Sequence, residues 1–291
     1  MILLDHRVEG QLSTRRLRVV KYRGSSHGTN EHPFLIDEQG ISVMPVTSAR
    51  LDHAASDERI STGIDELDQM LGGQGFYRGS SILVTGTAGA GKTSLASHFI
   101  DAACRRGERC LCFAFEESPA QFVRNMGSIG FALEEWVERG LLRFSASRPS
   151  LFGLEMHLAL MHRAIVDFAP NVVVVDPISS LMEAGRQHEV RAMLLRLIDD
   201  LKAKGITAVF TNLTPGRSET AITEAGVSSL MDSWLLLLNR EISGRHIRQI
   251  YVLKSRGMVH SNEVREFILS DRGVSLGQKG GVAGSARART S

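Results

Sequence analysis

The feature that most constrains the fold of this 291-residue chain is the segment GTAGAGKT at residues 86–93. It matches the pattern G-x-x-x-x-G-K-[ST], in which the backbone N–H groups of a glycine-rich loop surround phosphate groups. The segment stands between the apolar run SILVTG (81–86) and KTSLASHFIDAACRR (92–106), whose apolar residues recur at helical spacing. A loop between a strand and a helix is the context that this motif requires. The sequence therefore predicts a P-loop nucleotide-binding domain.

Strand and helix patterns alternate through the following residues. Strands are predicted at CLCFAFEE (110–117), NVVVVD (171–176) and ITAVFTN (206–212), with helices at 154–168 and 190–204. Continuous Val-rich runs fit strands that are buried on both faces, and helices between such strands favour a parallel sheet. The predicted fold class is α/β, a mostly parallel sheet flanked by helices. After residue 230 the helical patterns stop, and DSWLLLLN, RQIYVLKSRG and REFILSDRG predict a closing set of antiparallel strands.

Several polar residues stand where nucleotide chemistry needs them. Lys92 would supply positive charge to the phosphates, and the Thr93 hydroxyl is suited to Mg²⁺. Asp176 ends the strand NVVVVD, where such folds place a carboxylate near the Mg²⁺ shell; a capping or turn aspartate is the alternative. Glu116 and Glu117 follow another strand, where a carboxylate could orient or deprotonate the attacking nucleophile. Because adjacent strand residues point to opposite sides, we expect one of the two to face the nucleotide; a solvated acidic loop is the alternative.

Two basic residues near the end of the chain form a further candidate. Lys254 and Arg256, in LKSRG, are two positions apart in an extended segment and should project to the same side. They would stabilise the transferring phosphoryl group across a subunit boundary, as arginine fingers do. A solvated strand face is the alternative interpretation.

These motifs together carry a family resemblance. Five segments, ISTGIDELDQMLGGQGFYRGSSILVTGTAGAGKTS, FAFEESPAQFVRNMGSIGF, NVVVVDPISSLM, YVLKSRGMVH and REFILSDRG, resemble the RecA-like ATPase domain of the KaiC family, that of the circadian clock ATPase and kinase. The resemblance covers nearly all of residues 60–276. Family members typically contain two such domains in tandem, CI and CII, and assemble as hexameric rings with ATP between subunits. The resemblance implies a RecA-like fold of the CII type, ATP and Mg²⁺ as cofactors, and self-association in a ring.

The resemblance also implies roles for individual residues. Glu116 and Glu117 match the family's catalytic glutamate pair, and Thr93 and Glu116 would serve Mg²⁺. The residues that would hold the phosphates are Thr87, Ala88, Gly89, Ala90, Gly91, Lys92, Thr93 and Ser94. The basic residues that match those reaching ATP on a neighbouring subunit are Arg248, Lys254 and Arg256.

Hydroxyl residues lie at the position of the family's phosphorylated pair. In the second KaiC domain a Ser–Thr pair is autophosphorylated across the subunit interface, and ITEAGVSSLMDS places Ser228 and Ser229 at those positions, with Thr223 at a nearby threonine. The match is partial, because serine replaces threonine at 229 and the family's usual residues are absent at Glu224 and Ala225. Two polar residues before a strand are the alternative.

The leading functional interpretation is a KaiC-like ATPase and serine/threonine autokinase that acts across subunit interfaces, with clock-related signalling as its setting. A second is an ATPase switch without kinase activity, whose nucleotide state sets its binding to a KaiB-like or other signalling partner. A third, a RecA-like DNA motor, would require a basic, aromatic-bearing loop, whereas residues 213–227 contain one arginine and no aromatic residue. The last fifteen residues are shorter than the family segment that recruits KaiA, which makes regulation by KaiA doubtful.

Bulk composition gives weaker guidance. The net charge of +2 gives no general reason to expect nucleic acid or an anionic membrane as a partner. No apolar run approaches the ~18 residues that span a bilayer, and the start MILLDHRVEG lacks a signal cleavage site. The chain is therefore expected to be cytoplasmic.

An internal repeat predicts the domain organisation. VVKYRGSSH (19–27) and VLKSRGMVH (252–260) share K-x-R-G-x-x-H at an offset of 233 residues. The identities at this offset pair Leu3, Leu4, Arg7, Arg15, Val19, Lys21, Arg23, Gly24, His27, Phe34 and Gly40 with Leu236, Leu237, Arg240, Arg248, Val252, Lys254, Arg256, Gly257, His260, Phe267 and Gly273. Residues 1–45 are thus expected to be the end of a preceding RecA-like domain, loosely ordered or packed as a hairpin against the linker. A linker at 46–60, the ATPase domain at 61–276 and a disordered basic tail at 277–291 complete the prediction.

Overall fold

The structure, a computed structural model, describes residues 1–9, 12–24, 26–37, 40–43, 55–214, 227–242 and 244–277. The predicted tail beyond residue 277 and most of the predicted linker lie outside these ranges. Four strands form a separate N-terminal sheet, and two short strands pair ahead of the P-loop. These strands are β1 (Ile2–Glu9), β2 (Leu12–Val19), β3 (Glu31–Asp37), β4 (Gly40–Val43), β5 (Arg59–Ile60) and β6 (Phe76–Tyr77).

Nine further strands of the described chain form the central sheet. They are β7 (Ser81–Gly86), β8 (Cys110–Ala114), β9 (Leu142–Ala146), β10 (Val172–Asp176), β11 (Thr207–Leu213), β12 (Ser233–Ile242), β13 (Arg245–Ser255), β14 (Arg265–Ser270) and β15 (Gly273–Leu276). Their order across the sheet is β15-β14-β13-β12-β7-β11-β10-β8-β9. The six strands from β12 to β9 are mutually parallel, and β13, β14 and β15 extend the sheet with antiparallel pairings. The predicted α/β class is confirmed.

The helices lie between the strands, as the sequence predicts. They are α1 (Asp65–Met70), α2 (Lys92–Arg105), α3 (Pro119–Gly127), α4 (Leu133–Glu138), α5 (Leu154–Phe168) and α6 (Gln187–Ala203). No helix of the described residues combines the length and apolar character needed to cross a membrane. The sequence interpretation had assigned no helix to α1 or α4, which have six residues each and lack a long periodic pattern.

One strand departs from the prediction. The segment DSWLLLLN was expected to belong to an antiparallel closing set, but β12 pairs in parallel with β7 from Ser233↔Ile82 to Leu237↔Gly86. Its other edge pairs antiparallel with β13. The uninterrupted apolar run of β12 fits this interior position, because strands of a parallel sheet are buried on both faces.

The core consists of two apolar layers, one on each face of the central sheet. Strand β10 shows the division, since Val172 and Val174 belong to one layer and Val173 and Val175 to the other. Helix α2 covers the first layer, while α5 and α6 cover the second. Successive strand side chains point to opposite faces, so the valine run supplies both layers at once.

The N-terminal sheet repeats the closing strands of the central sheet. At the offset of 233 residues, β4 coincides with β15, and β1 falls within β12. The repeated glycines also share their backbone conformation, because φ is +103° at Gly40 and +93° at Gly273. The resemblance between the two segments therefore extends from sequence to local structure.

The surroundings of the two copies differ. Leu3 and Leu4 of β1 are 53% and 54% exposed, whereas their counterparts Leu236 and Leu237 are 7% and 0% exposed. The reason is that β12 lies between β7 and β13, while β1 is the edge strand of its own sheet.

The N-terminal strands form a larger unit than a hairpin. The described residues between 2 and 43 supply four antiparallel strands, and β3 contacts helix α5, whereas most of the linker lies outside the described residues. The Arg16 guanidinium lies 3.0 Å from Glu31 and 3.0 Å from Glu155 of α5, so that it joins the two parts of the chain.

Arg59 and Ile60, which the sequence assigns to the end of the linker, are joined to the main domain. Strand β5 pairs with β6 through Arg59↔Tyr77 and Ile60↔Phe76, and Ile60 belongs to the core. The Arg59 guanidinium donates to the Leu71 carbonyl and lies over the Tyr77 ring.

We expect removal of residues 1–43 to leave the main domain folded, because both apolar core layers are built from residue 60 onward. The half-exposed Arg16 to Glu155 ion pair contributes at most about 1 kcal/mol. The midpoint of thermal unfolding, followed by circular dichroism, should therefore fall by only about 2–4 °C. Loss of the cooperative transition in the shortened chain would show that the N-terminal sheet is part of the core.

Candidate nucleotide-binding site

The loop of residues 86–93 connects β7 to α2. At two of its positions a neighbouring group lies so close to the loop backbone that only glycine fits. A Cβ atom at Gly86 would lie 2.6 Å from the Leu237 carbonyl oxygen of β12. A Cβ atom at Gly91, whose φ is +100°, would lie 2.6 Å from the Phe267 ring. Gly91 is also the N-cap of α2, so the loop leads directly into a helix N-terminus. Such a loop presents backbone N–H groups and the positive end of the helix dipole to an anion.

Lys92 lies across the loop that it would serve. Its ammonium donates hydrogen bonds to the carbonyl oxygens of Gly86 and Thr87, at 3.0 and 2.9 Å. Burial lowers the pKa of Lys92, and the carboxylates of Asp176 and Glu116 act in the opposite direction. Phosphate oxygens would be stronger partners than these neutral carbonyls, since charge-assisted hydrogen bonds are roughly twice as strong. The loop and its lysine therefore fit a polyphosphate.

Asp176, at the carboxyl end of β10, joins two hydroxyl groups. It accepts a hydrogen bond from Thr93 at 2.9 Å and another from Thr211 of β11. Burial raises the pKa of Asp176, and the two hydroxyl hydrogen bonds partly offset that effect. Oxygen ligands of this kind are those that Mg²⁺ prefers, so the Thr93 hydroxyl beside this carboxylate fits the ion. Thr211 was not singled out in the sequence, although its place at the end of a parallel strand was a usable signal.

The two glutamates after β8 point in different directions. Glu116 interacts electrostatically with Lys92 and Asp176, and its carboxylate accepts a hydrogen bond from Ser180 at 2.8 Å. Glu117 lies instead at 3.3 Å from the Asn125 amide of α3. Glu116 therefore lies with Lys92 and Asp176, whereas Glu117 is directed to α3. Ser180, which orients Glu116, is a contact that sequence reasoning missed.

Arg248 of β13 lies beside the loop of its own chain. Its guanidinium donates to the Gly89 carbonyl at 3.1 Å. This contact brings Arg248 to the phosphate loop of its own chain, whereas the role that the resemblance implies for it, at a nucleotide on a neighbouring subunit, stays a prediction. The contact arises because Arg248 pairs with Asn239, two residues beyond the point where β12 meets Gly86.

Lys254 and Arg256 lie at the opposite end of the parallel strands from the phosphate loop. They contact the 227–231 turn, which contains Ser228 and Ser229. Lys254 donates to the carbonyl oxygens of Ser228 and Met231, at 3.1 and 2.7 Å. Arg256 donates to the carbonyl oxygen of Ser229 at 2.8 Å. The two basic side chains thus point to the same side. Thr223, the third predicted phosphorylation site, lies outside the described residues.

A β-bulge sets the direction of these two side chains. Trp234 pairs with Lys254 and Leu235 with Val252, so one step on β12 matches two on β13. Val252 belongs to the α2 layer, whereas Trp234 belongs to the α5 and α6 layer. The extra residue, Leu253, turns Lys254 to the Trp234 face, because a bulge changes which side of the sheet the following residues occupy.

The site and the fold define a class of protein. A glycine loop between a buried parallel strand and a helix, with Lys92, Thr93 and Asp176 converging at the carboxyl edge of the sheet, is the arrangement of P-loop nucleoside triphosphatases with a RecA-like core. A family model described as "ATPase: KaiC" matches residues 1–48 and 60–281. The chain belongs to the KaiC ATPase family.

Similar curated proteins agree with this assignment. The chain is 54% identical over 278 residues to "Circadian clock protein KaiC2" of Synechocystis sp., which covers 95% of the chain and 49% of that protein. It is 38% identical to "Circadian clock oscillator protein KaiC" of Picosynechococcus sp. over 95% of the chain and 54% of the relative. The same name and identity apply to the Synechococcus elongatus relative, of which 53% is covered. The chain spans about half the length of these relatives.

We expect Lys92→Ala to weaken ATP binding by about 10- to 100-fold, because a charge-assisted hydrogen bond contributes about 1.5–3 kcal/mol. Titration of a fluorescent ATP analogue, read by polarisation, gives the dissociation constant. Lys204→Ala is the matched control, since this residue caps α6 and pairs with Asp200 at the sheet's opposite edge. Equal affinity of the two variants would show that Lys92 does not contact the phosphates.

We expect Glu116→Gln to lower ATP turnover by about 10²- to 10⁴-fold, since a general base contributes about this much. Glu117→Gln should lower it by less than about tenfold, because its carboxylate faces α3. Phosphate release measures turnover, and binding of the fluorescent analogue checks that each variant still holds nucleotide. A larger loss in Glu117→Gln than in Glu116→Gln would reverse the assignment.

Proposed function

We propose that this chain binds ATP with Mg²⁺, hydrolyses it, and transfers its γ-phosphoryl group to a serine of a neighbouring subunit in a ring. The observation that carries this proposal is the distance between the phosphate loop and the 227–231 turn within one chain. Strands β7 and β12 are parallel, so the loop after Gly86 lies at the carboxyl ends of these strands and the turn before Ser233 lies at their amino ends. The five steps from Ser81 to Gly86 span roughly 16 Å.

This separation favours transfer between chains over transfer within one chain. Reacting atoms must approach to about 3–3.5 Å, and the turn's serines lie beyond the amino end of β7. In this proposal Ser228 and Ser229 receive phosphate from a nucleotide held by another copy. Lys254 and Arg256 contact the same turn, so the basic residues and the acceptors would arrive together from that copy.

The chemistry of transfer follows from the residues of the site. Glu116 of the nucleotide-holding subunit accepts the proton of the Ser228 or Ser229 hydroxyl, and the serine Oγ to phosphorus bond forms as the bond to the β-phosphate oxygen breaks. ADP then leaves with the electron pair of the broken bond. Lys92, with Lys254 and Arg256 of the adjacent copy, stabilises the charge of the transferring group. Mg²⁺, held through Thr93 with Asp176 and Glu116 nearby, supplies further positive charge when bound. Water in place of the serine hydroxyl gives hydrolysis.

A second candidate is an ATPase switch that does not phosphorylate itself. It is favoured by the grouping of Lys92, Thr93, Asp176 and Glu116, which suffices for hydrolysis without any acceptor serine. In that case the nucleotide state would set binding to a KaiB-like or other signalling partner, and ATP would be consumed without phosphoprotein.

The assembly and domain organisation belong to the same proposal. A homo-oligomeric ring, hexameric as in the family, would supply the neighbouring subunit that the transfer needs. Residues 1–45 are proposed to be the closing strands of a further RecA-like domain, as supported by the coincidence of β4 with β15 and by the exposed Leu3 and Leu4. A cytoplasmic location is proposed for the assembly.

A mixing experiment tests transfer between chains. Lys92→Ala, used at an ATP concentration below its dissociation constant, is impaired as a donor but keeps the turn. Ser228→Ala with Ser229→Ala keeps the loop and lacks the acceptors. We expect little phosphate on either variant alone with Mg·ATP, and phosphate on the Lys92→Ala chain in the mixture. Mass spectrometry of the peptide spanning residues 218–240 locates it, and this peptide includes Thr223.

The control is a Lys92→Ala chain that also carries Arg256→Ala, mixed with the same donor. It should receive at least about tenfold less phosphate, because the guanidinium no longer reaches the donor's nucleotide. Phosphate on the wild-type chain but none in the first mixture would refute phosphoryl transfer between subunits. ATP turnover without phosphate on any chain would favour the switch.

A further inference from the structure

Two basic side chains hold the backbone of the 227–231 turn in place. Lys254 binds the carbonyl oxygens of Ser228 and Met231, and Arg256 binds that of Ser229. Val227 and Met231, at the two ends of the turn, are fully buried, whereas Ser228 is half-buried and Ser229 exposed. The ends are therefore anchored in the core, and the two cations bind the backbone of the serines between them.

Lys254 and Arg256 lie in a crowded group of positive charges. Burial lowers the pKa of Lys254, and the nearby charges of Arg256 and Lys202 act in the same direction. Asp232 opposes them, but its carboxylate is already bound by Lys202 at 2.8 Å and by Ser81. A cluster of three cations and one committed carboxylate favours an additional anion.

The two possible partners of these cations compete. Two of the three N–H bonds of the Lys254 ammonium are directed at carbonyl oxygens of the turn. To donate more than one hydrogen bond to phosphate, the ammonium must break its hydrogen bonds with the turn. A hydrogen bond between a cation and an anionic oxygen is roughly twice as strong as one to a neutral oxygen. A phosphate within reach would therefore compete with the turn's carbonyl oxygens for both side chains.

We propose that Lys254 and Arg256 form a clamp that fixes the backbone of the 227–231 turn in position. When nucleotide occupies the neighbouring subunit, its phosphates bind the two cations instead and the turn is released. The inference rests on the proposed function, because it takes the neighbour's nucleotide as the competing anion. It adds regulation to the same site. The turn becomes free to move only where a nucleotide is present to react with its serines, so an unoccupied interface keeps its acceptors fixed in position.

Amide hydrogen exchange of the full-length chain tests the clamp without any reaction. Lys254→Met and Arg256→Met should each raise the exchange rate of the peptide covering 227–233 by about tenfold in the absence of nucleotide, since each removes charge-assisted hydrogen bonds. Lys254→Arg, which keeps a donor cation, should stay within about twofold of the wild type. Arg245→Met is the matched control, because it lies exposed at the start of the same strand. Unchanged exchange in both methionine variants overturns the clamp.

A second arm adds a non-hydrolysable ATP analogue with Mg²⁺ and records oligomer mass by native mass spectrometry. Exchange in 227–233 should rise in the wild type and stay constant in Lys92→Ala. If the analogue binds and this exchange does not rise, the regulation is wrong whatever the oligomeric state. The two proposals fail separately. If the analogue raises exchange but Mg·ATP places no phosphate on serine, the clamp holds and the kinase is refuted. If Mg·ATP phosphorylates serine but the analogue does not raise exchange, the kinase holds and the clamp is refuted.

Discussion

The parallel pairing of β12 with β7 is the constraint on which the proposed chemistry depends. It places the phosphate loop after the carboxyl end of β7 and the 227–231 turn before the amino end of β12. Asp232 fixes this arrangement at the amino edge, because its carboxylate binds the Ser81 backbone amide and hydroxyl as well as Lys202. The phosphate loop and the turn thus lie at opposite ends of these strands, and for this reason the proposed transfer takes place between two chains.

The β-bulge at Leu253 distributes the basic residues of β13 between the two halves. Arg248 precedes the bulge and contacts the phosphate loop of its own chain through Gly89. Lys254 and Arg256 follow the bulge, face the other layer of the sheet and contact the turn. The basic residues of one strand thus contact the phosphate loop at one end and the turn at the other, and a single inserted residue determines which face of the sheet the later ones occupy.

Much of the fold could be predicted because its signals are local. Helix α5 occupies residues 154–168 as its periodicity indicates, and β10 follows its valine run. The parallel pairing of β12 could not be predicted in this way, since an apolar run is compatible with either strand direction and the choice depends on where the chain returns to the sheet. For the site, the loop motif identified Lys92 and Thr93, but the separate directions of Glu116 and Glu117 depend on contacts with Ser180 and Asn125.

The sequence by itself determined the α/β class, the phosphate loop and the internal repeat, because each is written in the spacing of nearby residues. It also placed Lys254 and Arg256 on a common side, since two residues of one strand two positions apart share a face. Only the tertiary structure decided at which end of the parallel strands these residues lie, that Arg248 contacts its own loop, and that the repeated leucines are buried in one copy and exposed in the other. These features depend on pairings between segments distant in the chain, which no local pattern records.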